Sequence, residues 1–231
     1  MAKLNTNSNA YIIIYSAVLV VIVAFLLAFV YQALKPMQDA NVALDVKKQI
    51  LYSLNIRDLD GAEAEAKYAE VVKEEGEVEG QKYYLCDING EDVLVVSMKG
   101  MGLWGGISGY ISIHGDEAPT VYGAYFNHES ETAGLGAEIK DSQEWQEKFI
   151  GKKVFVDGTQ DVAISIVKKV EDPTTQVDVV TGATLTSNGV DEMIKTGLKD
   201  AGARAVKLFV KMQCTKDAPN AEPSDSTAVA E

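Results

Sequence analysis

The sequence predicts an α+β fold: a largely antiparallel sheet with flanking helices, preceded by one N-terminal transmembrane helix. Three observations carry this. An apolar run covers residues 10–29, and no charge lies between Lys3 and Lys35. Short strand-like segments follow, the first two joined by the turn signal Asn89-Gly90. Apolar residues recur at helical spacing over 41–54, and a further helical pattern covers 188–209.

Composition narrows the class of function before any element is placed. A formal net charge of -13 argues against a nucleic-acid partner, which needs clustered Lys and Arg. Cys86 and Cys214 are far apart, and His114 and His128 are isolated, so the spacing of a zinc or iron–sulfur site is missing and no protein-bound metal is expected.

In chain order, a nine-residue N-terminal segment (1–9) precedes the span, which is placed at 10–33. A bilayer crossing takes roughly 20 apolar residues. Tyr11, Tyr15 and Tyr31 stand near its ends, as interfacial aromatics do. The run is longer than the apolar part of a cleaved signal peptide, which is about 7–15 residues, so an uncleaved anchor is expected. Lysines lie on both sides, and charge leaves the orientation open. Residues 34–80 read as a helical connector, with Val42, Val46, Ile50 and Leu54 on one helix face and an Ala- and Glu-rich helix plus polar connection over 58–80.

Strands are expected at 82–87 and 92–98. The next segment, Gly100-Met101-Gly102-Leu103-Trp104-Gly105, satisfies Gly-x-Gly-x-x-Gly, the spacing of a dinucleotide fingerprint. That fingerprint must open a helix, whereas here the alternation of a further strand follows through Ile113, so the segment reads as a glycine-rich loop between strands. Another strand, 120–126, leads to Asn127-His128-Glu129-Ser130-Glu131-Thr132-Ala133-Gly134-Leu135-Gly136. Asp141-Ser142-Gln143-Glu144 resembles a capping box opening a short helix through Phe149, with Trp145 turned inward. Strands are expected again at 154–156 and 162–167. The tail, 214–231, has no apolar periodicity and reads as disordered.

The stretch that concentrates chemistry is Asp178-Val179-Val180-Thr181-Gly182-Ala183-Thr184-Leu185-Thr186-Ser187. It follows a strand and runs into a helix. The hydroxyls of Thr181, Thr184 and Thr186 fit two readings: caps for that helix, or the surroundings of an anion at its N-terminus, where unpaired N–H groups and the dipole favour negative charge. Gly182 and Ala183 leave room for a ligand.

Asp-x-x-Thr-Gly-Ala-Thr resembles the flavinylation motif of the FMN-binding domain family, and His128 followed by Glu-Thr-Ala-Gly-Leu-Gly resembles that family's second signature, with Ala133 where Pro is usual. The resemblance implies an FMN-binding domain over 81–213, with FMN carried by a phosphoester on Thr184 and Asp178 as part of the flavinylation motif. It makes Thr181, Gly182, Ala183, Leu185 and Thr186 the immediate surroundings, and Glu131, Thr132, Gly134, Leu135 and Gly136 flavin neighbours. Leu103 and Trp104 become pocket residues, with core packing the alternative for Trp104.

A threonine hydroxyl without a base is a weak nucleophile. The resemblance accordingly implies a separate flavin transferase that uses FAD and magnesium. It further implies a polypeptide that relays electrons among other membrane and redox subunits of a sodium-translocating NADH:quinone oxidoreductase, or of an Rnf-type electron-transport complex, without itself oxidising NADH. The flavin domain would lie on the periplasmic side of a bacterial inner membrane. A membrane-anchored sensory or scaffolding domain without redox turnover is the alternative of a different class.

Overall fold

The computed structural model describes residues 8–116 and 118–216. The chain divides into two units, one ending at Val46 and the other beginning at Lys47. The expected N-terminal segment lies outside the described residues through residue 7, and the expected disordered tail lies outside them from residue 217.

Helix α1 (Asn9–Ser53) contains the expected span within one longer helix that continues through Pro36. Its most apolar 18-residue window has a mean hydropathy of 3.1 and no buried residue, so it is long and apolar enough to cross a membrane. The apolar stripe expected to pack over 41–54 is buried only at its end. Ile50 and Leu54 are fully enclosed, whereas Val42 is exposed.

In the second unit, α2 (Gly61–Val71) leads into a five-stranded antiparallel meander whose spatial order is its chain order. The strands are β1 (Val72–Val78), β2 (Gln81–Ile88), β3 (Glu91–Met101), β4 (Gly106–His114) and β5 (Val121–His128). Asn89 and Gly90 both take positive φ, 55° and 90°, and Ile88 pairs with Glu91. This is the two-residue hairpin that Asn-Gly favours. The Gly-x-Gly-x-x-Gly segment joins β3 to β4, the expected loop between strands.

Strand β1 corrects the sequence reading, which extends a helical connector to residue 80. Its residues, Val-Lys-Glu-Glu-Gly-Glu-Val, lack apolar alternation because β1 is an edge strand paired only with β2, and charge on an edge discourages further pairing.

Two short helices, α3 (Glu138–Asp141) and α4 (Gln143–Glu147), cover β5. The Ser142 hydroxyl accepts the N–H of Trp145 at 3.2 Å and caps α4. Trp145 is buried as expected, stacking edge-wise on Phe149 at 5.2 Å, and both rings meet Phe126. The strands expected at 154–156 and 162–167 shrink to a bridge between Phe155 and Val162 and to β6 (Ser165–Val167). The latter pairs in parallel with β7 (Gln176–Asp178).

The helix expected over 188–209 is two helices, α5 (Thr184–Gly197) and α6 (Ala201–Lys216). The break follows Gly197, a weak helix former whose carbonyl accepts the Gln81 side-chain amide at 2.6 Å, and Asp200 takes φ 48°. Helix α5 lies across β3 and β4, burying Val190, Met193 and Ile194 at helical spacing, each contributing about 1.5–3 kcal/mol of burial. Gly100 permits this approach, since a Cβ there would stand 2.8 Å from that of Met193.

Candidate functional site

Helix α5 begins at Thr184, four residues earlier than its apolar pattern, and this sets the site. Ala183 is the N-cap residue, and the N–H groups of the first turn have no partner within the helix. The loop before it is built by Ser187, whose buried hydroxyl accepts the N–H of Val180 and donates to the carbonyl of Ala183, both at 3.0 Å. Sequence reasoning missed Ser187. A Ser one turn inside a helix start, able to bond back to the residue four before it, was the available signal.

Asp178 stands just upstream of that loop. Its carboxylate takes both bonds from the Lys148 ammonium at 3.0 Å, while its carbonyl accepts the Trp145 indole N–H at 2.8 Å. The second contact ties β7 to the buried aromatic cluster, which fixes where the loop starts. The ion pair is largely exposed and adds little by itself.

The three threonines of the motif stand in different surroundings. Thr181 is exposed, Thr184 is half-buried, and Thr186 is 1% exposed. The Thr186 hydroxyl donates to Oε2 of Glu131 at 2.6 Å. Among the described residues the Thr184 hydroxyl makes no hydrogen bond, so it remains available at the first residue of α5.

Glu131 holds three segments together. Its Oε1 accepts the N–H of Trp104 at 2.8 Å, Oε2 accepts Thr186, and its own N–H donates to Nδ1 of His128 at 3.2 Å. Burial pushes the Glu131 carboxyl upward. The Thr186 hydroxyl and the N–H groups of Trp104, Gly105 and Leu103 outweigh it and hold the carboxyl below the ordinary glutamate value. Glu131 therefore faces into the protein behind the site, spending its oxygens on the loop and on α5.

Glycines let these segments close. A Cβ on Gly102 or Gly136 would collide with the Glu131 carboxylate, and one on Gly189 would strike the carbonyl of Met101. Gly134 and Gly182 take φ 71° and 77°, backbone that side chains disfavour. A Cβ on Gly182 would also stand 2.9 Å from Cδ2 of Leu135, which brings the two family-like signatures into contact.

From the three converging segments emerge four large apolar side chains that the fold leaves uncovered: Trp104 is 67% exposed, Leu185 60%, Leu103 47% and Leu135 43%. Trp104 is thus no core residue. Thr132 is exposed, and its carbonyl accepts the N–H groups of Leu135 and Ala137 in the turn that carries Gly134. Uncovered apolar side chains beside an open helix N-terminus and a free hydroxyl fit a ligand with an anionic group and a flat apolar body. No group of three or more His, Cys, Asp and Glu side chains able to hold a metal occurs among the described residues.

Comparison with known proteins bears on which ligand this is. Residues 102–199 match the model of the FMN-binding domain, and that range holds every segment of the site. A crystal structure of the C subunit of Na(+)-translocating NADH-quinone reductase from Parabacteroides distasonis superposes with a TM-score of 0.67 at 34% identity, covering 77% of this chain and 96% of that one. The chain belongs to the family of these C subunits. The C subunit of Pseudomonas aeruginosa is 39% identical over 117 residues, and that of Haemophilus ducreyi 41% identical over 132 residues. These alignments cover 48% and 56% of the chain and span 44% and 46% of the two relatives, just under half their length.

The match to the FMN-binding domain names FMN as the ligand against which the geometry is to be tested. The helix N-terminus suits the FMN phosphate and the uncovered Leu and Trp side chains suit its ring, so the residues present fit the cofactor that the matched domain binds.

Proposed function

We propose that Thr184 carries FMN through a phosphoester, and that the chain relays electrons as a membrane-anchored component of a sodium-translocating NADH:quinone oxidoreductase. The single observation that carries the covalent assignment is the division of labour between two hydroxyls. That of Thr186 is buried and committed to Glu131, while that of Thr184 is half-exposed and uncommitted at the start of α5.

FMN supplies the capacity to accept and donate electrons; the protein supplies the position and surroundings. Thr184 and the first-turn N–H groups of α5 hold the phosphate, with the helix dipole favouring its charge. Leu135, Leu185, Leu103 and Trp104 lie against the ring and keep water from it. Thr132 stands at the rim as a polar neighbour. Gly134, Gly136, Gly182 and Ala183 keep the backbone close, and Glu131 holds the loops in register from behind.

Attachment requires help, because a threonine hydroxyl without an activating base is a weak nucleophile and His128 already accepts the Glu131 N–H. A flavin transferase acting on FAD breaks the pyrophosphate, joins the FMN phosphorus to Oγ1 of Thr184 and releases AMP, with loss of the hydroxyl proton. The outer, periplasmic face of a bacterial inner membrane is the proposed location of the domain, with α1 as anchor. Other membrane and redox subunits of the complex are the proposed donors and acceptors. The C subunit of the sodium-translocating enzyme is preferred to the G subunit of the Rnf complex because the relatives described above carry the former name.

The test is peptide mass spectrometry of the denatured chain after co-production with a flavin transferase. An FMN-sized addition on the peptide containing Thr184, lost in Thr184→Ala and kept in Thr186→Val, is the expected result. An unmodified Thr184 beside a labelled control substrate sinks the covalent assignment and favours a scaffolding domain without redox turnover.

A further inference from the structure

The turn that follows β5 is closed by a half-buried imidazole. The backbone N–H of Glu131 donates to Nδ1 of His128, the last residue of β5, at 3.2 Å. A ring nitrogen that accepts has a free lone pair, so this imidazole is neutral and carries its proton on Nε2. An imidazolium has N–H on both nitrogens and accepts at neither. Protonation of His128 and its bond to Glu131 therefore exclude each other.

What the turn holds is Trp104. The Trp104 N–H donates to Oε1 of Glu131 at 2.8 Å, and its carbonyl accepts the Ser130 hydroxyl at 3.1 Å. The packing is close, since a Cβ on Gly105 would strike the Ser130 hydroxyl. One imidazole thus closes the turn whose next residues grip the loop between β3 and β4.

The charges around the ring leave it this role alone. Strand β4 pairs its Ile107 with His128 and carries His114 at the far end, on Glu91, with Tyr110 between. Helix α3 brings Glu138, Lys140 and Asp141. Helix α4 brings Glu144, Glu147 and Lys148, of which Glu147 accepts Gln143 and Lys148 holds Asp178. Glu129 is exposed, its carboxylate 3.0 Å from where a Cβ on Gly106 would stand. Among the described residues none of these side chains bonds the imidazole. Imidazole changes charge between about pH 5 and 8. Glu131, held below the ordinary glutamate value, stays ionised there.

We propose that His128 is a positioning residue of the flavin site: neutral, it closes the turn that holds Trp104, and its protonation opens that turn and loosens the 102–105 loop. The consequence for FMN, a ring less well covered by Leu103 and Trp104 at lower pH, rests on the flavin reading. The hydrogen-bond relay itself does not.

The test is hydrogen exchange by mass spectrometry on the full chain in nanodiscs, produced without a flavin transferase. Protection is compared at about pH 7.5 and about pH 5.5 after correction for intrinsic exchange. Peptides covering 102–105 and 128–136 should lose protection about five- to tenfold at the lower pH, the worth of one neutral hydrogen bond, while those covering 82–98 hold theirs. In His128→Asn, whose Oδ1 stands in place of Nδ1 and does not titrate, protection should stay high at both pH values. In His128→Ala it should be low at both, and His114→Gln should behave as the parent. Nitrogen NMR of the two histidine rings should find the His128 proton on Nε2 at the higher pH. A proton on Nδ1, a pH-independent parent, a fall that persists in His128→Asn, or one that vanishes in His114→Gln would each overturn the proposal. Because no flavin is present, these outcomes leave the assignment of Thr184 untouched.

Discussion

Thr186 and Glu131 lie 55 residues apart in the chain, yet the hydroxyl of one donates to the carboxylate of the other at 2.6 Å inside the protein. This bond joins the start of α5 to the turn after β5. Because the other oxygen of Glu131 holds the N–H of Trp104, the same carboxylate also fixes the β3–β4 loop. The α5 N-terminus proposed to hold the phosphate and the apolar side chains beside it are thereby kept in one arrangement.

Removing the hydroxyl while keeping the shape isolates that bond. Thr186→Val leaves the Glu131 carboxylate short of a partner at a buried position, which costs about 1–3 kcal/mol. Urea unfolding of the variant should show this loss. In combination with Glu131→Gln the two losses should be less than additive, because both act on one contact. Full additivity would mean that the hydroxyl and the carboxylate do not depend on each other.

The same carboxylate gives stability a pH dependence of known sign. The folded pKa of Glu131 lies below its unfolded value, which is about 4.3 for an unperturbed glutamate. Its contribution is complete above that unfolded value and is lost as pH falls through the depressed folded one. Unfolding free energy measured from pH 7 downward should therefore fall less steeply in Glu131→Gln than in the parent below about pH 4. Parallel acid limbs would remove Glu131 from the account.

At Gly182, backbone and contact both matter. Alanine at φ 77° costs about 1–2 kcal/mol, and its Cβ would in addition press on Leu135 at 2.9 Å. Gly158 has φ 78° and nothing within 4 Å of a Cβ, so it isolates the backbone part. Gly182→Ala should lose more thermal stability than Gly158→Ala and should lower the yield of FMN-modified protein; equal shifts in Tm and unchanged flavin yield would show that the contact with Leu135 is unimportant.

Cys86 is fully buried, and burial pushes its thiol up to about 12. In a Cys214→Ser background the native protein should react with a maleimide at neutral pH no faster than it opens, whereas urea-unfolded protein should react at once. Rapid labelling of the native chain would contradict this packing.

Much is legible from local pattern. The apolar run of α1, the Asn89-Gly90 hairpin, the Ser142 cap and the inward Trp145 follow from length, turn chemistry and side-chain type, none of which needs a distant partner. The alternation after the Gly-x-Gly-x-x-Gly loop separates it from a dinucleotide site, and the helical pattern after Thr184 puts the motif at a helix start. These are statements about neighbours in sequence, and the backbone rules that govern them act over a few residues.

Tertiary structure decided the rest. Edge strand β1 carries charge where a strand is expected to alternate, because β2 supplies its pairing and its open side needs no apolar face. The helix over 188–209 breaks after Gly197, where Gln81, more than 100 residues earlier, donates to a carbonyl that the helix end leaves without a partner. By residue type alone the sequence offers Thr181, Thr184 and Thr186 as three hydroxyls, of which the family resemblance singles out Thr184, and Glu131 as a flavin neighbour. The fold spends Thr186 on Glu131, leaves Thr184 uncommitted and turns the carboxylate inward. Residue type fixes what a hydroxyl or carboxylate is able to bond; which partner it meets depends on where the sheet carries segments 55 residues apart, and that is a property of packing.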